Sequence, residues 1–367
     1  MASGTVLFRV DASHFLGNGH VVRCVALAEA LIEQGHCCVF ACRDLPGNAV
    51  DWLQRKNFDV VVLPAPEKII EPQHDDFSTW AQCEPEWDAK NSAFCLQHYS
   101  ATWLVIDHYA WSASEHVLLK SLAVKTLVID DLCNRPLSAD ILVDSGSHVN
   151  ADYQPWLKPS NLRLLGREYL PLRKNFRLLR TQNFSKADIQ SHVLISCGAT
   201  DSVNHSLALL EIIAPILAQG RLRVSCVLAA NAPHTQQLKD YCHSHRGAQL
   251  VVDPDDMASL IASTDFVMGT AGSGVWERCA LGKPSAVIMA GEDQCNNFNS
   301  LIQLGGGCSI AQDDNCFAIS PDKVLYLLKQ WYIKPSDDLY QYQKAAWKLC
   351  DGQGAQRIAQ KMQQAAA

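Results

Sequence analysis

The run Val6-Leu7-Phe8-Arg9-Val10-Asp11, then Gly17-Asn18-Gly19-His20, then Val21-Val22-Arg23-Cys24-Val25-Ala26-Leu27-Ala28, decides the fold. The first segment is apolar enough for a buried strand. After His20 the apolar residues Val22, Val25, Leu27, Ala28, Leu31 and Ile32 recur at helical spacing. Gly35 follows where a glycine ends a helix. Strand, glycine turn and helix together open a βαβ unit. The turn suits an anion, because glycine lets the backbone approach a ligand and the first helix amides lack partners. A histidine closes this turn. The positive end of the helix dipole disfavours imidazolium, which makes His20 a candidate base; the plainer alternative is a histidine that only caps the helix. Asp11, at the strand end, is a candidate to orient His20 or to hold its protonated form. Its plainer alternative is a turn aspartate bonded to its own backbone.

Working outward, strand and helix patterns alternate. Further strands are expected at Cys37–Cys42, Val60–Leu63, Trp103–Asp107, Lys125–Asp130 and Asp140–Val143. From Ala151 to Ser185 the chain is rich in Pro, Arg and Asn and reads as a boundary. A second alternating series follows, with strands at His192–Ser196, Leu222–Leu228, Gln249–Val252, Asp265–Gly269 and Pro284–Met289. Such alternation means parallel sheets covered on both faces. The expected fold is α/β: two tandem doubly wound Rossmann-like domains with an interdomain cleft. Their expected extents are 1–180 and 186–334, with a helical tail over 335–367.

The 367 residues are too many for one ordinary core, and 48% hydrophobic with 19% charged residues describes a water-soluble globular chain. A formal charge of -7 argues against a nucleic-acid partner. Fifteen cysteines are scattered without a CxxC pair, and no signal peptide is evident, so free thiols in a cytoplasmic protein are expected. Tetrahedral metal spacing is absent, and neither a metal nor a cofactor is expected. No apolar run approaches the ~20 residues of a membrane span. A monomer without membrane or nucleic-acid partners is the expectation.

Other candidate site residues sit at strand ends. Asp107-His108-Tyr109 closes a strand at the carboxyl edge, where residues face the crevice. Gly198 and Thr200 lie in a second glycine turn, and Gly272-Ser273-Gly274-Val275 in a third, with Glu277 one turn into the following helix. Small residues before a helix suit a phosphate, and an acid one turn in suits a ribose diol. Gln294 and Asn297 follow the next strand and are candidates for the ligand's edge. Each of these has a structural alternative: a tight turn, a packed aromatic, a polar helix start.

Arg9-Val10-Asp11-Ala12-Ser13 with Gly17 to His20 and Arg23-Cys24 resembles the opening of the UDP-sugar hydrolases of pseudaminic acid biosynthesis, which act on UDP-2,4-diacetamido-2,4,6-trideoxy-β-L-altropyranose. The resemblance continues through Asp107-His108-Tyr109, Val128 to Leu132 with Arg135-Pro136, Ala151-Asp152-Tyr153 and Gly166 to Arg173. Gly198 to Asp201 and Gly272 to Glu277 extend it. It implies a glycosyltransferase-B architecture and metal-free hydrolysis of a UDP-linked sugar at the anomeric carbon, with inversion. By that resemblance His20 is the catalytic histidine and Tyr109 lines the sugar pocket. The loop from Gly272 to Val275 contacts the diphosphate, Glu277 the ribose, and Gly17, Gly19 and Arg23 lie with Asp107 and His108 near the substrate. The chain departs from the family at Asp144 to Ser147, at Gly198-Ala199 and at Asp293-Gln294. A glycosyltransferase of the same fold is the alternative activity, and a non-catalytic nucleotide-sugar sensor is a further one.

Overall fold

The computed structural model describes residues 4–73, 75–180, 191–333 and 337–366. Residues 181–185 of the expected boundary segment, and the domain limits at 186 and 334–335, lie outside the described residues. The chain divides into two compact units, Met1–Lys174 with Gly352–Ala367, and Asn175–Asp351.

The first unit holds seven strands: β1 (Thr5–Val10), β2 (Cys37–Arg43), β3 (Asp59–Leu63), β4 (Ala101–Asp107), β5 (Ala123–Ile129), β6 (Ile141–Asp144) and β7 (Leu162–Leu165). They form one parallel sheet in the order β3-β2-β1-β4-β5-β6-β7. The order reverses at β1, so the loops after β1 and β4 diverge and leave a crevice at the carboxyl edge. Strand alternation splits the core between two faces. Val6, Phe8 and Val10 point to one face with the helix α1 (Gly19–Glu33), and Leu7 points to the other. Ala355, Ile358, Ala359 and Met362 of the helix Gly354–Ala366 share the first face.

The second unit holds β8 (His192–Ser196), β9 (Arg223–Leu228), β10 (Ala248–Val252), β11 (Phe266–Thr270), β12 (Ser285–Ile288) and β13 (Gly307–Ser309). They form a parallel sheet in the order β10-β9-β8-β11-β12-β13. Gly269 allows β11 to pack this closely on β8: a Cβ there would lie 1.9 Å from the Ser196 carbonyl oxygen.

Two strands differ from the sequence reading. β7 falls inside the segment read as a boundary, and β13 was not expected. Both are short edge strands with glycine or arginine among few apolar residues, so the apolar run that marks a central strand is missing. Tyr153, also in that segment, is fully buried; its hydroxyl donates to Asp144 Oδ2 at 2.7 Å and lies 3.1 Å from the Asp130 carbonyl oxygen. Of the expected tail, the helix Asp337–Leu349 lies in the second unit and Gly354–Ala366 in the first.

A buried ion network backs the carboxyl ends of β1 and β2. Arg9 on β1 donates to both oxygens of Asp88 at 2.9 and 3.0 Å and pairs with Asp11 at 2.6 Å. Arg43, at the end of β2, also bonds Asp88, and its amide donates to Asp11 at 2.7 Å. Two guanidiniums thus face two carboxylates where water cannot reach, and removing one partner would strand a charge.

His116 is buried as a neutral ring, its Nδ1 accepting from the Ser138 amide at 3.3 Å. Burial, with Arg135 nearby, pulls its pKa from 6.5 to about 3. The unfolded chain therefore takes up this proton first as pH falls. The stabilisation is complete above pH 6.5 and is lost progressively between 6.5 and 3. Between pH 7 and 4.5 the His116→Asn variant should lose about 2–3 kcal/mol less stability than the wild type, read from urea midpoints. Parallel losses in the two proteins would refute this.

Candidate active site

The crevice of the first unit gathers residues from α1 and from the loop after β4. Val10 pairs with Asp107 in register, which brings the ends of β1 and β4 side by side. Gly17, at φ +66°, sets the turn; its amide donates to the Ser13 carbonyl at 2.9 Å. His20 and Arg23 stand one turn apart on α1 and so share a face.

Both reach Asp107. His20 Nδ1 lies 2.6 Å from Asp107 Oδ1, and Arg23 donates through Nε to Oδ2 at 2.5 Å and through a terminal nitrogen to Oδ1 at 2.7 Å. Burial alone would push the Asp107 carboxyl up, but Arg23 and then His20 hold it well below the usual carboxylate range. The ionised carboxylate accepts the Nδ1 proton, so Nε2 carries the lone pair. Arg23 also pairs with Asp131 at 3.2 Å, and the Tyr109 hydroxyl donates to the same carboxylate. The Tyr109 ring meets His20 edge-on at 4.5 Å. Burial, despite Arg23 and reinforced by Asp131, raises the Tyr109 pKa well above the ordinary phenol value, so this hydroxyl stays protonated.

Asp11 does not orient His20. Its carboxylate is turned to Arg9 and to His108 Nε2, 3.2 Å away, because the buried guanidinium is the stronger claimant. Burial opposes ionisation of Asp11, and Arg9 followed by His108 overrides it, holding the carboxyl far below its ordinary value. Asp11, Asp88 and His108 bring ligand-type atoms within 4.8 Å of one another. The two guanidiniums already neutralise these carboxylates, so the charge balance leaves no place for a cation there.

A cavity of about 10 Å³ adjoins His20, lined by Asp11, Leu16, Trp80, Asp107, His108 and Tyr109. That is room for about one water. Trp80 belongs to a cluster with Phe15, Phe77 and Tyr109, at ring separations of 4.8 to 6.0 Å. Sequence reasoning missed Asp131 and Trp80 as site residues. The polar, irregular segment carrying Trp80 offered no period to read, although its aromatic content was a signal.

The second unit has its own cavity, of about 290 Å³, at the carboxyl ends of β8 and β11. Gly198, Thr200, Gly272, Ser273, Gly274 and Gln294 line it, as the glycine turns imply. Gly198 sits at φ +99°. Val275 is fully buried, and its amide donates to the Gly272 carbonyl at 3.1 Å, so it turns the loop and does not line the cavity. Asn297 accepts from the Trp276 indole at 3.1 Å, and neither Asn297 nor Glu277 is among the lining residues. Arg278, which does line it, was not singled out from the sequence.

Residues 185–362 match the Glycosyltransferase family 28 C-terminal domain. Over 278 residues the chain is 25% identical to the UDP-2,4-diacetamido-2,4,6-trideoxy-beta-L-altropyranose hydrolase of Campylobacter jejuni, covering 75% of this chain and 88% of that protein. The family resemblance read from the sequence therefore holds. Among solved structures, MurG of Acinetobacter baumannii superposes with a TM-score of 0.63 at 14% identity, covering 99% of this chain and 100% of that one. A UDP-glucosyltransferase of Polygonum tinctorium gives 0.67 at 12% identity, covering 99% of each. The fold is the two-domain Rossmann-like glycosyltransferase-B fold. No helix among the described residues is long and apolar enough to cross a membrane.

The geometry fixes one tautomer. Imidazole ¹⁵N NMR near neutral pH should place the His20 proton on Nδ1 in the wild type, with a larger Nε2–H fraction in Asp107→Asn. An unchanged tautomer ratio would show that Asp107 does not set it.

Proposed function

We propose that the chain hydrolyses a UDP-linked 2,4-diacetamido-2,4,6-trideoxy sugar to UDP and the free sugar, without a metal, as a step of pseudaminic acid biosynthesis. The observation that carries the reading is His20 held by the buried Asp107 carboxylate beside a cavity of one water's size. The similarity to the Campylobacter jejuni hydrolase supports the substrate.

In this mechanism His20 Nε2 takes a proton from the water as its oxygen attacks the anomeric carbon. The bond from that carbon to the diphosphate oxygen breaks, its electron pair leaves with UDP, and the configuration inverts. Asp107 stabilises the imidazolium that forms, as the carboxylate of a triad does. Arg23 keeps Asp107 ionised, so the carboxylate does not take the proton itself. Fixing one water replaces a bimolecular encounter with a positioned attack. In the second unit, the turns around Gly198 and Gly272 to Gly274 receive the diphosphate through backbone amides. Glu277, which does not line that cavity, is assigned to the ribose by family resemblance alone.

The structural likeness to glycosyltransferases supports a second reading, in which an acceptor hydroxyl replaces water.

His20→Asn should lower turnover by at least ~10³-fold and leave UDP affinity within about twofold of wild type. Asp107→Asn should lower turnover ~10²- to 10⁴-fold. NMR of the product anomer, with UDP release followed on a panel of UDP-sugars, checks both. Near-normal turnover by His20→Asn, or transfer to an added acceptor in preference to water, would overturn the assignment.

A further inference from the structure

Arg278 is an anomaly in the second unit. It follows Glu277 on the short helix Gly274–Ala280, yet it is 4% exposed and reaches the cavity at the ends of β8 and β11. A buried guanidinium ordinarily faces a carboxylate, as Arg9 and Arg43 do in the first unit. Among the described residues Arg278 has no such partner. One terminal nitrogen donates to the Ser196 carbonyl at 3.0 Å, and the other makes only long contacts, 3.4 Å to the Thr270 carbonyl and 3.5 Å to Ser285 Oγ. The acid nearest to hand in the lining, Asp201, is spent: its two oxygens accept from the His205 and Ser206 amides at 3.0 and 2.9 Å. Burial, only partly offset by Cys197 and Glu277, lowers the Arg278 pKa to about 10.

A charge kept at that cost, at the wall of a 290 Å³ cavity, awaits a counter-charge from outside the chain. We infer that Arg278 is the diphosphate ligand of this cavity, its guanidinium neutralising the phosphoryl oxygens of a bound nucleoside diphosphate. The inference rests on the UDP-sugar reading for the identity of that diphosphate. Backbone amides of the glycine turns contribute dipoles, whereas Arg278 contributes a full positive charge. Its carbonyl contacts tie it to the ends of β8 and β11, so the guanidinium is positioned before the ligand arrives. UDP leaving the sugar gains charge at its terminal phosphate, and a fixed cation there favours the bond-breaking step as well as binding.

The test compares UDP with uridine, which lacks the phosphates, by calorimetric titration of the intact protein. Wild type should bind UDP far more tightly than uridine. Arg278→Met should lose about 10- to 100-fold in UDP affinity with uridine affinity unchanged, and Arg278→Lys should recover part of the loss. A purely bracing role predicts instead that UDP and uridine weaken by the same factor, or that neither changes; either result overturns the inference. If Arg278→Met does not fold, Arg278→Lys decides through the same ratio, because a planar fork replaced by a point charge must still reduce UDP preference. A wild type that prefers UDP through Arg278 but hydrolyses no UDP-sugar would sink the proposed activity and leave this inference standing. Hydrolysis by a protein whose UDP preference is indifferent to Arg278 would do the reverse.

Discussion

The first unit's site depends on one buried negative charge. Asp107 ends β4 with its side chain shut off from water, and an ionised carboxylate there is tolerable only when it is paired and hydrogen-bonded. Its two oxygens are shared between His20 and Arg23. Those residues stand three apart on α1, so satisfying one carboxylate fixes both the rotation of the helix and the seat of its first turn. The same bonds set the imidazole tautomer. The contacts that seat the helix are thus the ones that orient the imidazole, and Arg23 holds Asp107 ionised.

The second ion network, behind β1 and β2, plays a different part. Arg9, Arg43, Asp11 and Asp88 neutralise one another out of contact with solvent. His108 lies against it, with Nε2 3.2 Å from Asp11 and 3.5 Å from Asp88, and stacks on Trp111 at 4.7 Å. This set lies behind the crevice, while Asp107, His20 and Tyr109 line it.

Much of this was legible in the residues. Apolar runs located eleven of the strands, nine of which lie inside their sheets, where parallel strands are buried on both faces. His20, Tyr109 and the glycines of the second unit were singled out because they sit in turns at the carboxyl ends of strands, and the structure places them on cavity walls. What escaped was pairing across long separations. Asp11 and Asp107 both end strands and both lie near the turn, and only the positions of Arg9 and Arg23 determine which carboxylate serves His20. Val275 shows a related limit: a residue inside a recognised loop can be buried beneath it and stay off the cavity wall. Tyr153 illustrates it too, since a stretch carrying the family resemblance proves to brace β5 and β6.

The helix Gly354–Ala366 sets an order of events for folding. Ala355, Ile358, Ala359 and Met362 seal the same core face as Val6, Phe8 and α1, across more than three hundred residues of intervening chain. During synthesis the second unit is complete before that helix emerges from the ribosome. The first unit lacks part of its apolar cover until this helix docks. Of the two units, the first to begin is the second to close.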